Sequence, residues 1–402
     1  MAGLEAPTAW GLLLEPVAAP LLGAVAALAD PEAPSPAELT RLRRLGPAEL
    51  VPYALELAAA RRRAAQKLES AATLLADRAG VEQASGTRVA RHKARRFAAL
   101  APSRLVDLCS GIGGDAIEFA AALPQTELLA VDLDPSRARM TEHNARCRAA
   151  VADVESVELG SAAFHCDPAR RDERLGTRSW RLADHRPGPS FLAQLAVRGA
   201  AGAIKLGPGL ALDATPLLAE GELEFVSDHG CLVQALLWCG PLARGRGQRS
   251  ATRLAKDATG AELVATGSPR RLDRVAERIA RFLCVPDPAL ERAGLVAQRA
   301  ASFDGAELAA GLGLVGAETD PADPWFAIYE VLEQMPWREE RLRDALRAHD
   351  AGLVTVRTRD AAVDCDRAAR ALRGTGDVKL DVFGLRLGRR IVALITRQVA
   401  RR

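Results

Sequence analysis

The chain has 402 residues, 49% of them apolar and 26% charged, with a formal net charge of +3. That length exceeds the usual single-domain range and predicts two or three domains, each able to bury a core. The composition excludes a wholly disordered chain, and the cysteines at 109, 147, 166, 231, 239, 284 and 365 form no CxxC pair, which argues against a zinc site and for reduced thiols in the cytosol.

Residues 9–29 are apolar, but they lack a basic leader and contain Glu15, Pro16 and Pro20. The segment is too broken to span a bilayer and reads as a packed or docking helix with no membrane role. Asp30 to Pro36, DPEAPSP, reads as a loop. From Pro36 to about Ala79, apolar residues such as Leu39, Leu42, Leu55, Leu68, Leu74 and Leu75 recur at helical spacing, so the first hundred residues are expected to be mostly α-helical. Between Pro36 and Leu100 there are 13 Lys or Arg against 6 Asp or Glu, an excess of 7. This is the signature of a phosphate-binding face or, equally, of a solvated helix surface. Arg88, Arg91, His92, Lys93, Arg95 and Arg96 crowd its end, and on one helix they would not all face one ligand. Glu82, Gln83 and Ser85 just before them read as a turn and cap or as a polar contact set.

Residues 105–134 read as one βαβ unit. An apolar run, Leu105 to Cys109, meets Gly111, Gly113 and Gly114, a helical pattern follows, and a second run ends on Asp132. Glycines let backbone approach a ligand, the helix turns its free N–H groups toward it, and an acid ~20 residues on grips ribose hydroxyls. The glycine spacing alone also fits a dinucleotide fingerprint. Asp134, Pro135 and Ser136 start a helix, Asp153 follows a short strand, and AAFHCDPARR is an apolar run with Asp167 and Pro168 at its carboxyl end. Asp132, Asp153 and Asp167 should converge, because ligands of open α/β sheets sit beyond the carboxyl ends of the strands. Residues 172–190 read as a long loop over that edge. GAAGAIKL and ELEFVSD make further strands, with Lys205 as a substrate contact or a snorkelling strand-end lysine; Cys231 to Trp238 is helix or strand; and SATRLAK and ELVATG supply the last strands. Beyond Pro324 the order is βαβαββ, expected to form a small α+β domain.

Asp107 inside the first strand, placed to accept from the ammonium of a methionine moiety, and Asp153, placed near an adenine amino group, favour S-adenosylmethionine over a nicotinamide cofactor. As structural alternatives, Asp153 is a turn acid and Asp167 a capping acid before Pro168. VDLCSGIGGDAIEFA, AVDLDP, VADVE and DPARR resemble the motifs of the class I S-adenosylmethionine-dependent methyltransferases. The chain is most similar to a bacterial branch with a helical N-terminal part and a C-terminal THUMP-like domain, which GLVAQ, YEVLE and VRTRD resemble.

The resemblance implies a Rossmann-like methyltransferase sheet at 99–268, between an N-terminal α-helical, basic domain at 1–98 and a ferredoxin-like α+β domain at 269–402. It implies that Gly111 and Gly113 line the methionine side, that Asp132 binds ribose and that Asp153 lies near adenine. Asp167 and Pro168 would border the acceptor pocket, with Asp167 orienting the acceptor. Related amine-methylating enzymes carry a second proline and an aromatic where this chain has Ala169 and Arg170, so stacking on a base would fall to Arg170 or Arg171. The expected function is methylation of a base in structured RNA, tRNA or rRNA, in the cytoplasm and without a metal. The alternatives are an RNA-binding protein that keeps the fold without turnover, or a methyltransferase with a non-RNA acceptor.

Overall fold

The computed structural model describes residues 5–170, 182–212, 216–255, 261–359 and 361–400. The chain divides into two compact units, one of residues 1–228, 233–248 and 254–261, the other of residues 229–232, 249–253 and 262–402.

The first unit begins with α1 (Ala6–Leu12), α2 (Ala19–Ala26), α3 (Pro36–Leu42), α4 (Val51–Ala64), α5 (Arg78–Gln83) and α6 (Thr87–Leu100). It continues through β1 (Arg104–Leu108), α7 (Gly114–Ala122), β2 (Glu127–Asp132), α8 (Pro135–Ala145), β3 (Arg148–Val151), β4 (Ala163–Cys166), β5 (Ala169–Arg170), β6 (His185–Arg186), α9 (Pro189–Val197), β7 (Gly202–Leu206), β8 (Glu222–Asp228) and β9 (Cys231–Cys239). Cys231 to Trp238, undecided from sequence, is therefore strand.

The main strands run side by side in the order β8-β9-β7-β4-β1-β2-β3. β1 is parallel to β2 and β4, β4 is parallel to β7, and β9 is antiparallel to β7. This is the Rossmann-like sheet expected. β1 and β4 are almost wholly buried, as strands covered on both faces must be.

Helix α6 covers the sheet through Val89, Ala94 and Phe97, which join Phe119, Val226 and Trp238 in one core. The earlier helices share a second core with Ile112 of the βαβ unit and Met140 of α8. The helical pattern expected to reach Ala79 breaks after Ala64. Leu68, Leu74 and Leu75 are buried in a turn-rich stretch, where Lys67 O accepts from Thr87 N at 2.9 Å and Leu75 N donates to Asn144 Oδ1 at 2.8 Å. These side-chain and long-range bonds replace the helical ladder, so burial spacing alone misread the segment. Among the described residues no single helix is long and apolar enough to cross a membrane.

The second unit contains β10 (Arg249–Arg253), β11 (Leu263–Gly267), β12 (Phe282–Pro286), α10 (Pro288–Ala293), α11 (Val296–Ala300), β13 (Ala306–Glu307) and β14 (Val315–Ala317). Then come β15 (Phe326–Pro336), α12 (Glu339–Ala348), β16 (Ala351–Thr358), α13 (Cys365–Leu372), β17 (Val378–Leu387) and β18 (Arg390–Gln398). Its sheet has the order β13-β14-β12-β15-β18-β17-β16. Leu342 and Leu346 of α12 and Ala368 and Leu372 of α13 pack on one face against Leu380, Val382 and Ile395, giving the two-layer α+β arrangement expected. The added strands β12 to β14 extend that sheet and had no counterpart in the sequence reading.

Candidate cofactor and acceptor site

From β1 the chain moves outward through β2 and β3, and from β4 it moves the other way through β7, so the strand order reverses between β1 and β4. A crevice forms at the carboxyl ends of strands at such a reversal. A cleft of about 910 Å³ opens there, and Asp107, Gly111, Asp132, Asp153, Asp167 and Pro168 all line it.

Cys109, Gly111 and Gly113 all have positive φ, 59°, 59° and 84°, which curls the loop after β1 into the start of α7. A Cβ on Gly111 would meet nothing within 4 Å, so its backbone is open to an incoming group. Gly113 does not line the cleft. It precedes α7, where a Cβ would sit 3.2 Å from Thr141, and its part is the tight turn.

Asp132 accepts from Gly111 N at 2.8 Å and Asp134 N at 3.0 Å, and burial raises its pKa against the help of those two bonds. Each carboxylate oxygen keeps a further lone pair for a hydroxyl donor. Asp153 caps a short turn by accepting from Glu155 N at 3.0 Å while also lining the cleft, so both readings of it describe its position. Lys205 is buried and lies 2.5 Å from Asp167 Oδ2, which fixes that carboxylate at the cleft wall rather than leaving a snorkelling amine. Pairing of Ala169 with Arg186 brings β6 back along the segment after Pro168, and Arg186 and Pro187 join the lining. The Arg170 side chain, Arg171 and the first part of the 172–190 loop lie outside the described residues, whereas α9 already begins at Pro189.

Along the cleft wall runs a row of buried ionisable groups in which the sequence pointed to Asp107 but not to its links with Lys93, Asp115 and His165; Ser85, Asp107, Asp115 and His165 line the cleft and Lys93 lies behind them. Lys93, at 0% exposure, places Nζ 2.5 Å from Asp115 Oδ1, 3.1 Å from Ser85 Oγ and 3.4 Å from His165 Nε2. Ser85 donates to Asp115 Oδ2 at 2.9 Å, and His165 Nδ1 lies 2.7 Å from Asp107 Oδ1. Burial alone would raise the Asp115 pKa, but the Lys93 ammonium 2.5 Å away holds it well below the usual carboxylate range. Burial pulls the Lys93 pKa down and Asp115 opposes this. With one carboxylate, one hydroxyl and one imidazole nitrogen facing it, Lys93 is an ammonium here. Burial also raises the pKa of Asp107, tempered by the bond from His165. Asp107 Oδ2 and Ser110 Oγ are buried without a hydrogen-bond partner among the described residues. Unpartnered buried acceptors are costly, and a carboxylate oxygen facing a cleft is a seat for a cationic donor.

Five of the six basic residues of α6 singled out from the sequence face acids of the same unit. Arg88 pairs with Asp228, Arg91 with Glu69 and Glu118, His92 with Glu224, Lys93 with Asp115 and Arg96 with Glu222. The helix lies on the sheet, so these five turn to neighbouring acids, while Arg95 of α6 and Arg41, Arg43 and Arg44 around the end of α3 are exposed.

Uncharacterized S-adenosylmethionine-dependent methyltransferases from Mycobacterium tuberculosis strains CDC 1551 / Oshkosh and H37Rv are each 33% identical over 366 residues, covering 87% of this chain and 97% of theirs. The chain belongs to the S-adenosylmethionine-dependent methyltransferases. S-adenosylmethionine is the cofactor of this methyltransferase. Residues 103–164 match the family model of the RNA cap guanine-N2 methyltransferases, and residues 326–398 match the THUMP domain-like family. A methyltransferase candidate from Porphyromonas gingivalis W83, known from its crystal structure, shares the fold at TM-score 0.68 and 17% identity, over 94% of this chain and 98% of its own.

A sequence signal for the buried row did exist. Lys93 falls at the spacing of Val89 and Phe97, on the face of α6 that enters the core. Asp107 and His165 interrupt otherwise apolar strands and are direct partners in the β1–β4 register.

Proposed function

We propose that this methyltransferase transfers the methyl group of S-adenosylmethionine to a base of structured RNA, tRNA or rRNA. The observation that carries this reading is that Asp107, Asp132, Asp153, Asp167 and Pro168 all line one cleft at the β1/β4 reversal. The fit of the cofactor rests on the unpartnered Asp107 Oδ2 and the open backbone at Gly111.

In this arrangement Asp107 accepts from the ammonium of the methionine half, Gly111 allows its close approach, Asp132 accepts from the ribose hydroxyls and Asp153 lies by the adenine. Bound there, S-adenosylmethionine supplies an electrophilic methyl group on a sulfonium. Asp167, held through Oδ2 by Lys205, accepts with its second oxygen from the acceptor base and takes its proton. Pro168 fixes the backbone beside it. Most of the rate enhancement then comes from holding two reactants in line in a cleft, which requires no covalent enzyme intermediate. Support for RNA comes from the two matched families, both named for RNA-related domains, and from the exposed arginines near α3 rather than from α6.

The test is label transfer from radiolabelled S-adenosylmethionine to total RNA. The wild type labels RNA, and Asp167→Ala loses the label while still binding S-adenosylhomocysteine. Label appearing only in protein or small molecules would replace RNA as the acceptor class, and no label in any pool would favour a binding protein without turnover.

A further inference from the structure

The row Lys93–Asp115–His165–Asp107 has a direction. Lys93 brings an ammonium to the imidazole Nε2, which can only accept from it, so the ring proton must sit on Nδ1. Nδ1–H then donates to Asp107 Oδ1 at 2.7 Å, leaving Oδ2 as the one oxygen with no partner among the described residues. Ser85, by donating to Asp115 Oδ2, holds that carboxylate against Lys93. Phe119 packs edge-on against the imidazole with ring centroids 5.2 Å apart and limits its rotation. A neutral residue at 93 would let the imidazole adopt the other tautomer, in which Nδ1 faces the Asp107 carboxylate with a lone pair.

We propose that Lys93, Ser85, Asp115 and His165 are positioning residues that fix the imidazole tautomer and thereby present Asp107 Oδ2 to the α-ammonium of the methionine half of the cofactor. This rests on the reading that Asp107 meets that ammonium. Ser85, Asp115 and His165 line the cleft and Lys93 lies behind them, and in this role none of the four transfers a group. They determine how strongly one end of the cofactor is held, and the adenosine end is left to Asp132 and Asp153. The selectivity of the site for a ligand carrying an amino acid tail is therefore set by a lysine buried behind the cleft.

Two ligands separate this role from a structural one: S-adenosylhomocysteine, which carries the ammonium, and 5′-methylthioadenosine, which does not. Calorimetric titration of the full chain should show that Lys93→Met and His165→Phe weaken S-adenosylhomocysteine about tenfold or more and change 5′-methylthioadenosine by less than about twofold. His165→Asn, whose amide can donate from the Nδ1 position, should restore most of the affinity lost in His165→Phe. Equal losses for both ligands, or no loss for either, overturn the proposal. If Lys93→Met does not fold, the His165→Asn and His165→Phe pair decides, since unchanged affinity in His165→Phe or no recovery in His165→Asn is equally fatal. Asp107→Asn distinguishes the underlying reading. If it loses S-adenosylhomocysteine selectively while the Lys93 and His165 variants do not, only the positioning role fails; if it too shows no selective loss, the Asp107 assignment fails as well.

Discussion

Replacing Asp115 by Asn keeps its shape and its contact with Ser85 but removes the charge that faces Lys93. Lys93 has no exposure, and its other neighbours, Ser85 Oγ at 3.1 Å and His165 Nε2 at 3.4 Å, bring no negative charge. Removing one partner of such a pair leaves an uncompensated buried charge and costs about 3–5 kcal/mol; because Asn keeps a carbonyl acceptor, the lower end, about 3 kcal/mol, is expected. For a unit of this size that corresponds to a fall of about 6–12 °C in Tm. Lys93→Met should cost a similar amount by stranding Asp115, whereas the double variant should recover about 2–3 kcal/mol relative to the sum, since a buried pair exchanged for neutral groups is close to isoenergetic. Differential scanning calorimetry is the assay, reading the transition that S-adenosylhomocysteine shifts upward in the wild type. Asp115 has a folded-state pKa depressed by Lys93, so its contribution is fully present above the unfolded value near ~3.9 and is lost as pH falls through the folded value. The cycle is therefore run at neutral pH. Additivity of the two substitutions within about 0.5 kcal/mol would show that the pair does not interact and refute the reasoning.

Two further outcomes follow from the same geometry. Burial raises the Asp107 pKa despite the bond from His165, with Lys93 and Asp115 also facing it, so S-adenosylhomocysteine affinity should be full at neutral pH and decline as pH falls, before the ordinary Asp range near ~4 is reached. 5′-Methylthioadenosine should decline less, because it lacks the Asp107 contact and keeps only that of Asp132, whose pKa burial also raises, and an equal pH dependence of the two ligands would contradict this. Gly113→Ala should lower Tm more than Gly111→Ala: both take on left-handed strain of about 1–2 kcal/mol, but only at 113 does the new Cβ also press on Thr141 at 3.2 Å. Equal melting shifts would mean that the Thr141 contact yields without cost.

Much of the fold was legible because its signals are local. The apolar runs at β1, β2 and β4, the glycine turn and the Asp134–Pro135–Ser136 cap each follow from residues close in sequence, and the strand-end rule then gathered Asp132, Asp153 and Asp167 at one cleft. The βαβαββ order after Pro324 was legible for the same reason. What the sequence concealed was long-range pairing. The cations of α6 read as a surface because acids at 115, 118, 222, 224 and 228 are distant in the chain, and only folding places them opposite. Lys205 was similarly ambiguous until β7 set it beside Asp167. Residues 65–77 misled in the opposite sense, because leucines can be buried by a turn-rich segment as well as by a helix.

The central claim, that this cleft methylates a base in RNA, is tested most directly by mass spectrometry of nucleosides from cells lacking the protein. The account predicts that one methylated nucleoside disappears and returns with the wild-type chain but not with Asp167→Ala. An unchanged nucleoside profile, in cells whose extracts contain the protein only before its removal, would contradict it.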